Sequence, residues 1–510
     1  MTGRAPASPP IHYESGRAIH HWLERRATTD GGRIALRVEH ECYTYRDLDG
    51  FSSAMGHLLA AHDVDAGQRI GLMTSNRAEF FFTVFGALKI GASVVMISPA
   101  WKPTEIAHAV GLTEPVLVVC DGDTPDRLSG IVADDRVLHL DHDGVFEALV
   151  QGDGTWPNPD LLWDDTEAIL VFSSGTTGLP KAVRHNHRSL GAATLHWASA
   201  LGLTADDRFQ VATPPFHILG LLNMFASVCA GSSVRLHPRF DLDAVLRCVE
   251  TDRITLEMAV APIALAMANH PELESFDLSS LRYIMWGATP VTPSVAETVT
   301  RRSGVGFLPA YGASEVPVIT ANPVNRPDAW RLDSPGLALH DIRLRIVDVE
   351  TGEVLDAGGV GEIQVHSPSA MIGYLPEEAN TDAFSDGWYR TGDVGWLEAD
   401  GWLHITDRVK EMIKVRGFQV APAEVEAVLH AHDDVVDCAV FGLPEEASGE
   451  VVVAAVQLRP DATVSSAELQ DSVADALASY KRITHVYLVD EIPRLPSGKV
   501  LRRVLRETFG

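Results

Sequence analysis

Between Tyr43 and about Pro238, short apolar runs alternate with segments of helical periodicity, and this alternation restricts the fold more than any other feature of the chain. Ile70-Gly71-Leu72-Met73 reads as a strand and Phe80–Leu88 as a helix. Val94-Val95-Met96-Ile97 is the next strand, a helix starts from Thr104, and Val116-Leu117-Val118-Val119 continues the series. Such alternation predicts parallel sheets covered by helices. A second run from about Asp164 to Pro335 includes the apolar segments Ala168–Phe172 and Tyr283–Met285. The pattern then changes. Ile342, Leu344 and Ile346 alternate with Arg343 and Arg345, as in a strand with one wet face, and turn signals follow at Thr351-Gly352 and Gly358-Gly359. Residues 336–406 therefore read as a small antiparallel barrel or sheet. After Lys410 a separate α+β unit is predicted, with helices at Ala423–His430 and Ala467–Tyr480 and strands near Val435–Phe441 and Val451–Leu458. The 510 residues are too many for one core, so two or three domains are expected.

The strand Ala168–Phe172 runs into Ser173-Ser174-Gly175-Thr176-Thr177-Gly178-Leu179-Pro180-Lys181. Glycines let backbone N–H groups approach phosphate oxygens, hydroxyls add donors, and a lysine supplies a point charge. The spacing of Gly175, Gly178 and Lys181 is not that of a Walker A loop, which argues against a P-loop ATPase.

A net charge of −28 argues against nucleic acid or an anionic membrane as the main partner. Any anionic substrate then needs a local positive exception, and Arg408, Lys410, Lys414 and Arg416 facing only Glu411 form one. The five cysteines are scattered without metal spacing and read as reduced thiols. No apolar run reaches the length of a membrane span, no signal-peptide core is present near Pro9, and the ending Thr508-Phe509-Gly510 is not a peroxisomal tail. A cytoplasmic location is expected.

Four further blocks accompany the Ser173–Lys181 loop in order: Tyr311-Gly312-Ala313-Ser314-Glu315, Tyr389-Arg390-Thr391-Gly392-Asp393, Asp407-Arg408-Val409-Lys410-Glu411 running on to Gly417-Phe418-Gln419-Val420-Ala421-Pro422, and Pro496-Ser497-Gly498-Lys499. With these the chain resembles the adenylate-forming superfamily, most closely its 4-coumarate and fatty acyl-CoA ligase branch, from about Tyr43 to Arg503. The resemblance implies an α/β fold. A large N-terminal domain, residues 1–408, holds two parallel-rich sheets plus a small β-barrel (subdomains about 1–165, 166–335 and 336–408). A small mobile α+β C-terminal domain, residues 409–510, follows. It implies ATP, Mg²⁺ and coenzyme A as cofactors and a small carboxylic acid as substrate. The oligomeric state is not readable.

The resemblance also assigns roles. Ser173, Ser174, Gly175, Thr176, Thr177, Gly178 and Lys181 cradle the β- and γ-phosphates, with Ala182 in place of the usual glycine after the lysine. Glu315 is the magnesium-side carboxylate, and Ser314 replaces the commoner threonine as an α-phosphate hydroxyl. Tyr311 stacks on adenine, flanked by Ala310 and Gly312, while Gly287 and Ala288 give backbone access to the base. Asp393 accepts from both ribose hydroxyls, as a carboxylate has lone pairs enough to do. Arg408 contacts ribose or phosphate from the domain boundary. His217, in Pro215-Phe216-His217-Ile218-Leu219-Gly220, gates the acyl pocket, whereas His185 and His187 read as solvated. Lys499 bridges carboxylate and α-phosphate during adenylation. Lys410 is the hinge, Gly417 passes the pantetheine arm, and Lys414 and Gln419 match positions near carboxylate and AMP.

Chemically, a carboxylate is a poor electrophile because its leaving group would be oxide, and capping it with AMP cures this. No nucleophilic side chain is needed, in keeping with the absence of a convincing Ser-His-Asp or Cys-His constellation. The acyl pocket departs from the branch. Trp286 precedes Gly287 where a small residue is usual, Ala310 replaces a glycine, and Val316-Pro317-Val318 runs one residue short. Trp286 either narrows the pocket or points into the core. The expected reaction is an aromatic or medium-length acid joined to CoA. The alternatives are a carrier-protein acceptor, a luciferase-like oxygenase, adenylation of an oxyanion such as nitrite for attack by an aromatic amine, and a non-enzymatic binder. The acidic residue that amino-acid-activating domains use to hold an α-ammonium is missing near Phe216-His217, which argues against that role.

Overall fold

The computed structural model describes residues 18–510 except 143, 153–155, 157–162, 174–179, 288–290, 409–410, 416–417, 446–448, 461 and 495–499. Four sheets organise it. The first has seven strands in the order Gly373–Leu375, Lys181–Asn186, Glu167–Ser173, Ser93–Met96, Arg69–Met73, Leu117–Cys120 and Val137–His139. The strands from Glu167–Ser173 onward are parallel, and the first two are antiparallel additions. The parallel strands read as continuous apolar runs because helices cover both faces: Val94, Val95, Ile169 and Leu170 are all fully buried.

The second sheet has nine strands, with parallel pairing from Ile34–Val38 through Ser233–Leu236, Arg208–Val211, Leu256–Ala259 and Tyr283–Trp286 to Phe307–Tyr311. Helices Ala78–Lys89, His187–Ala200 and Ile218–Ala230 pack into one continuous core that reaches both sheets, through Phe80, Phe85, Leu190, Leu221 and Phe225. Local signals start these helices. Thr44 and Asp47 form a reciprocal cap on helix Tyr45–Ala61, and Asn186 accepts from the Ser189 N–H.

Sheet membership does not follow chain order. Ile34–Val38 and Glu41–Thr44 belong to the second sheet, and Gly373–Leu375 returns to close the edge of the first. The alternating segment after residue 336 forms the antiparallel half-barrel Arg343–Val347, Gly361–His366, Trp388–Leu397, Phe384–Ser385 and Leu403–Arg408. The last unit is a five-stranded sheet around Gly449–Leu458 and Val435–Glu445. Helices Pro422–His430 and Ser466–Ala476 cover one face, and the terminal helix Arg502–Phe509 covers the other through Leu505. The helix expected to reach Tyr480 ends at Ala476 and gives way to a short 3-10 turn. Among the described residues no helix is long and apolar enough to cross a membrane. All five cysteines are free, and Cys120, Cys229 and Cys438 are buried.

Candidate active site

Ser173 and Lys181 face each other across the antiparallel pair Glu167–Ser173 and Lys181–Asn186, which is attached to the parallel core through Glu167–Ser173. The side chain of Lys181 rests over the ring of Tyr374, its Nζ 5.0 Å from the centroid. Tyr374 lies on the neighbouring strand Gly373–Leu375, opposite Val183. Its hydroxyl donates to Glu315 Oε1 at 2.8 Å and lies 3.5 Å from the hydroxyl of Tyr389.

Glu315 sits in a loop folded tightly on itself. Ala313 N–H donates to Val316 O and Ile319 N–H to Tyr311 O. A Cβ on Gly312 would stand 2.1 Å from the Pro317 carbonyl oxygen, so only glycine fits there. The buried His185 sets its Nε2 2.8 Å from Ser314 O, and Met371 N–H donates to Glu315 O. Glu315 is 8% exposed. Burial and the neighbouring Glu315 charge push the phenol of Tyr374 well above its ordinary range, so the hydroxyl stays a donor.

Asp393 is presented by a bulge. The strand Trp388–Leu397 slips register against Gly361–His366 between the pairs Glu362↔Val394 and Gln364↔Arg390, and Gly392 takes φ +70° there. Thr391 Oγ1 accepts from the Asp393 N–H and donates to Ile363 O. The Asp393 carboxylate is already engaged: the Tyr311 hydroxyl donates to Oδ2 at 2.5 Å, and Arg408 Nε lies 3.0 Å from Oδ1. The Asp393 charge holds the Arg408 guanidinium above its ordinary value. Burial, then Asp393, holds the Tyr311 phenol well above its own. A ribose diol bound at Asp393 must displace or share these contacts.

The residue before Arg408 on its strand, Asp407, bonds on the other side. Asp407 accepts from the Ala423 N–H at the start of helix Pro422–His430, and burial pushes its carboxyl up to about 6. Asp407 and Arg408 thus tie the half-barrel strand to the C-terminal unit on one side and to Asp393 on the other.

His217 precedes helix Ile218–Ala230, its ring 4.6 Å from Phe216. Burial lowers its pKa to about 4, so the imidazole is neutral near pH 7. A Cβ on Gly287 would meet nothing within 4 Å, whereas Ala310 continues the strand Phe307–Tyr311 beside it. Lys414 is exposed on Ile413–Val415, its N–H bonded to Glu450, and stands opposite Gln419 across the pair with Phe418–Val420. The segment carrying Lys499 is flanked by the bridge Arg494↔Val500, and Arg494 makes a two-point ion pair with Asp437. Ser174, Gly175, Thr176, Thr177, Gly178, Ala288, Lys410, Gly417 and Lys499, with the side chain of Gln419, lie outside the described residues.

One expectation is corrected here and one open alternative is decided. His185 and His187 are not solvated: both are buried, because the strand and helix they occupy are covered, and His187 Nδ1 accepts from the Ile19 N–H. Trp286 is core. It is 1% exposed and meets Phe307 edge-on at 5.3 Å, while Tyr283 and Met285 point to the opposite face of the strand.

Residues 23–375 match the family model of AMP-binding enzymes, and residues 424–499 match that of the AMP-binding enzyme C-terminal domain. The chain belongs to the adenylate-forming, AMP-binding enzymes. The 4-coumarate–CoA ligase of Pinus taeda is 32% identical to this AMP-binding enzyme over 98% of this chain and 94% of its own. Among solved structures, ATP-bound MatB from Rhodopseudomonas palustris superposes with a TM-score of 0.90 at 26% identity, covering 97% of this chain and 99% of its own. The anthranilate CoA ligase AuaEII with anthranoyl-AMP gives 0.90 at 25%, covering 97% and 98%. The amide bond synthetase McbA from Marinactinospora thermotolerans gives 0.87 at 28%, covering 96% and 100%.

Sequence reasoning missed Tyr374 and the partnership of Tyr389 with it. No spacing signal marks Tyr374, which lies 59 residues from Glu315. Its one local clue is the aromatic directly after Gly373, whose φ is +143°.

Proposed function

We propose that this AMP-binding enzyme is an AMP-forming acid–thiol ligase. ATP and an aromatic or medium-chain carboxylic acid give an acyl-adenylate and pyrophosphate, and coenzyme A then gives the acyl thioester and AMP. In the first step a carboxylate oxygen bonds to the α-phosphorus as the bond to pyrophosphate breaks. In the second the thiol sulfur bonds to the acyl carbon, AMP leaves, and the thiol proton passes to solvent.

The observation that carries this reading is that Lys181 and Glu315 meet on Tyr374, Asp393 is held by Tyr311, and the buried Tyr389 lies near enough to feel both tyrosines. This arrangement joins a cation for the triphosphate, a carboxylate for a metal and a carboxylate for the ribose. Lys181 with the Ser173 loop would hold the β- and γ-phosphates, Tyr311 with Gly287 the adenine, and Asp393 with Arg408 the ribose. Glu315 fits Mg²⁺: it is a single hard oxygen donor fixed in orientation, as suits an ion that keeps its waters and shares phosphate oxygens. When bound there, Mg²⁺ would neutralise charge on the triphosphate.

His217, neutral and beside Phe216, suits the wall of a pocket for an acid with an apolar body. Lys499, from the C-terminal domain 409–510, would bridge carboxylate and α-phosphate. Rotation at Lys410 would exchange it for the Gly417 loop, with Lys414 and Gln419 near the adenylate. A cytoplasmic site of action completes the reading. The likeness to McbA, an amide bond synthetase, keeps an amine acceptor as a second reading.

The test is a panel of acids incubated with Mg²⁺ and ATP, followed by mass spectrometry of the acid–AMP and then by addition of CoA, a carrier protein or an amine. An acid–AMP converted to acyl-CoA and AMP by CoA supports the ligase. Turnover only with another acceptor assigns a different transferase, and no acid–AMP with any acid overturns the reading.

A further inference from the structure

The segment Met371–Tyr374 grips Glu315 twice, once through Met371 N–H to its backbone carbonyl and once through the Tyr374 hydroxyl to its carboxylate. The segment is itself fixed. Ile372 N–H donates to Arg184 O, Tyr374 N–H donates to Asn380 Oδ1 at 2.7 Å, and Asn380 Nδ2 donates back to Tyr374 O. Tyr374 is 8% exposed, so neither its ring nor its hydroxyl has room to wander. The same ring lies under the Lys181 ammonium.

Two groups of opposite charge, from loops far apart in the chain, are therefore set by one side chain. The ring face is the negative part of an aromatic quadrupole and suits the ammonium. The hydroxyl is a donor and suits the carboxylate.

We propose that Tyr374 is the positioning residue that sets Glu315 for a divalent cation through its hydroxyl and Lys181 for the nucleotide triphosphate through its ring. The inference rests on the adenylation reading above, and it makes the two functions of Tyr374 separable. Tyr374→Phe keeps the ring and removes the hydroxyl, leaving Glu315 Oε1 without its donor. Tyr374→Leu removes both. Outer partners of a metal-binding group alter metal affinity by roughly 10–100-fold, and that scale is expected here.

The experiment binds ligands in the absence of acid, so that no turnover is involved. Mn²⁺ is titrated into the enzyme–ATP complex and read by electron paramagnetic resonance, and ATP alone is titrated in EDTA by calorimetry. Tyr374→Phe is expected to weaken Mn²⁺ binding about tenfold while leaving metal-free ATP within about twofold. Tyr374→Leu is expected to weaken both. In a Glu315→Gln background, Tyr374→Phe is expected to change Mn²⁺ binding little further, because its effect runs through Glu315.

The proposal is overturned if Tyr374→Phe leaves Mn²⁺ affinity unchanged, if it weakens metal-free ATP equally, or if its effect persists in full without Glu315. Should Tyr374→Leu not fold, Tyr374→Met takes its place: metal-free ATP affinity equal to that of Tyr374→Phe overturns the ring's part, because the methionine variant has no ring under Lys181. A wild-type enzyme that binds no ATP would sink the adenylation reading itself. Wild-type binding with unaltered variants would sink only the role of Tyr374.

Discussion

The groups proposed to meet the nucleotide are held differently before and after the Asp407–Arg408 pair. In the large N-terminal part, Tyr311, Glu315 and Asp393 are tied by hydrogen bonds to one another or to Tyr374, Thr391 and the loop backbone, and both carboxylates are under 10% exposed. In the C-terminal part, Lys414 is exposed on a two-strand edge, and the segment of Lys499 is secured at its base by Arg494 and Asp437. Buried charges that are cross-bonded keep one geometry, whereas an exposed lysine is free to find its partner. The contrast suits a division in which one part keeps the nucleotide through both half-reactions and the other exchanges the groups that act on it.

The strongest way to break this contrast is Lys499→Ala. Adenylate formation, followed by pyrophosphate release, is expected to fall by about 10²–10³-fold, the scale of losing one preorganised charge-stabilising donor. Thioester formation from synthetic acyl-AMP and CoA is expected to change little. Equal losses in both steps would show that the C-terminal part does not divide its labour. Asp393→Asn probes the other side. The loss of a charged partner for Arg408 and of a ribose acceptor is expected to raise the KM for ATP about tenfold, with a smaller change in kcat.

Smaller still is the effect of pH through His217. Its pKa is lowered from 6.5 to about 4 by burial, so it stays neutral from pH 5.5 to 8. The KM for the acid is expected to show no inflection in that window that His217→Phe removes. An inflection near 6.5 lost in that variant would place the imidazole in water.

The smallest expected effect lies outside the site. Glu257 is buried between sheet and helices, accepts from Gln210, and is raised from 4.5 to about 8 by burial. The folded chain therefore keeps a proton that the unfolded chain releases, so stability falls as pH rises from about 4.5 to 8. Glu257→Gln should remove that slope and raise Tm at pH 8 by about 2 °C while changing little at pH 5. Parallel melting curves for the two proteins at both pH values would contradict the assignment.

Much of the frame was legible before any coordinates. The strands read at Ile70–Met73, Val94–Ile97 and Ala168–Phe172 appear as Arg69–Met73, Ser93–Met96 and Glu167–Ser173, because fully buried parallel strands leave long apolar runs. The wet-faced alternation at Arg343 and Arg345 is an antiparallel strand whose arginines lie over Trp388. What escaped is long-range. A three-residue strand, Gly373–Leu375, crosses back to the first sheet and brings Tyr374 to residues far away in sequence, and no periodicity encodes that return. His185 and His187 escaped for a different reason. Polar residues in a covered strand or at the start of a covered helix look wet by type, yet here His185 sits against Ser314 O and His187 accepts from Ile19 N–H. Trp286 was ambiguous because the strand is covered on both sides, and only the alternation with Tyr283 and Met285 assigns its face.

The central claim is that this enzyme activates an acid by transferring AMP to it at the site built from Lys181, Glu315, Tyr311 and Asp393. Exchange of labelled pyrophosphate into ATP tests it most directly. The account predicts exchange that requires both an acid and Mg²⁺ and is lost in Glu315→Ala and Asp393→Ala proteins that still fold. Exchange independent of acid, or undiminished in those variants, would contradict it.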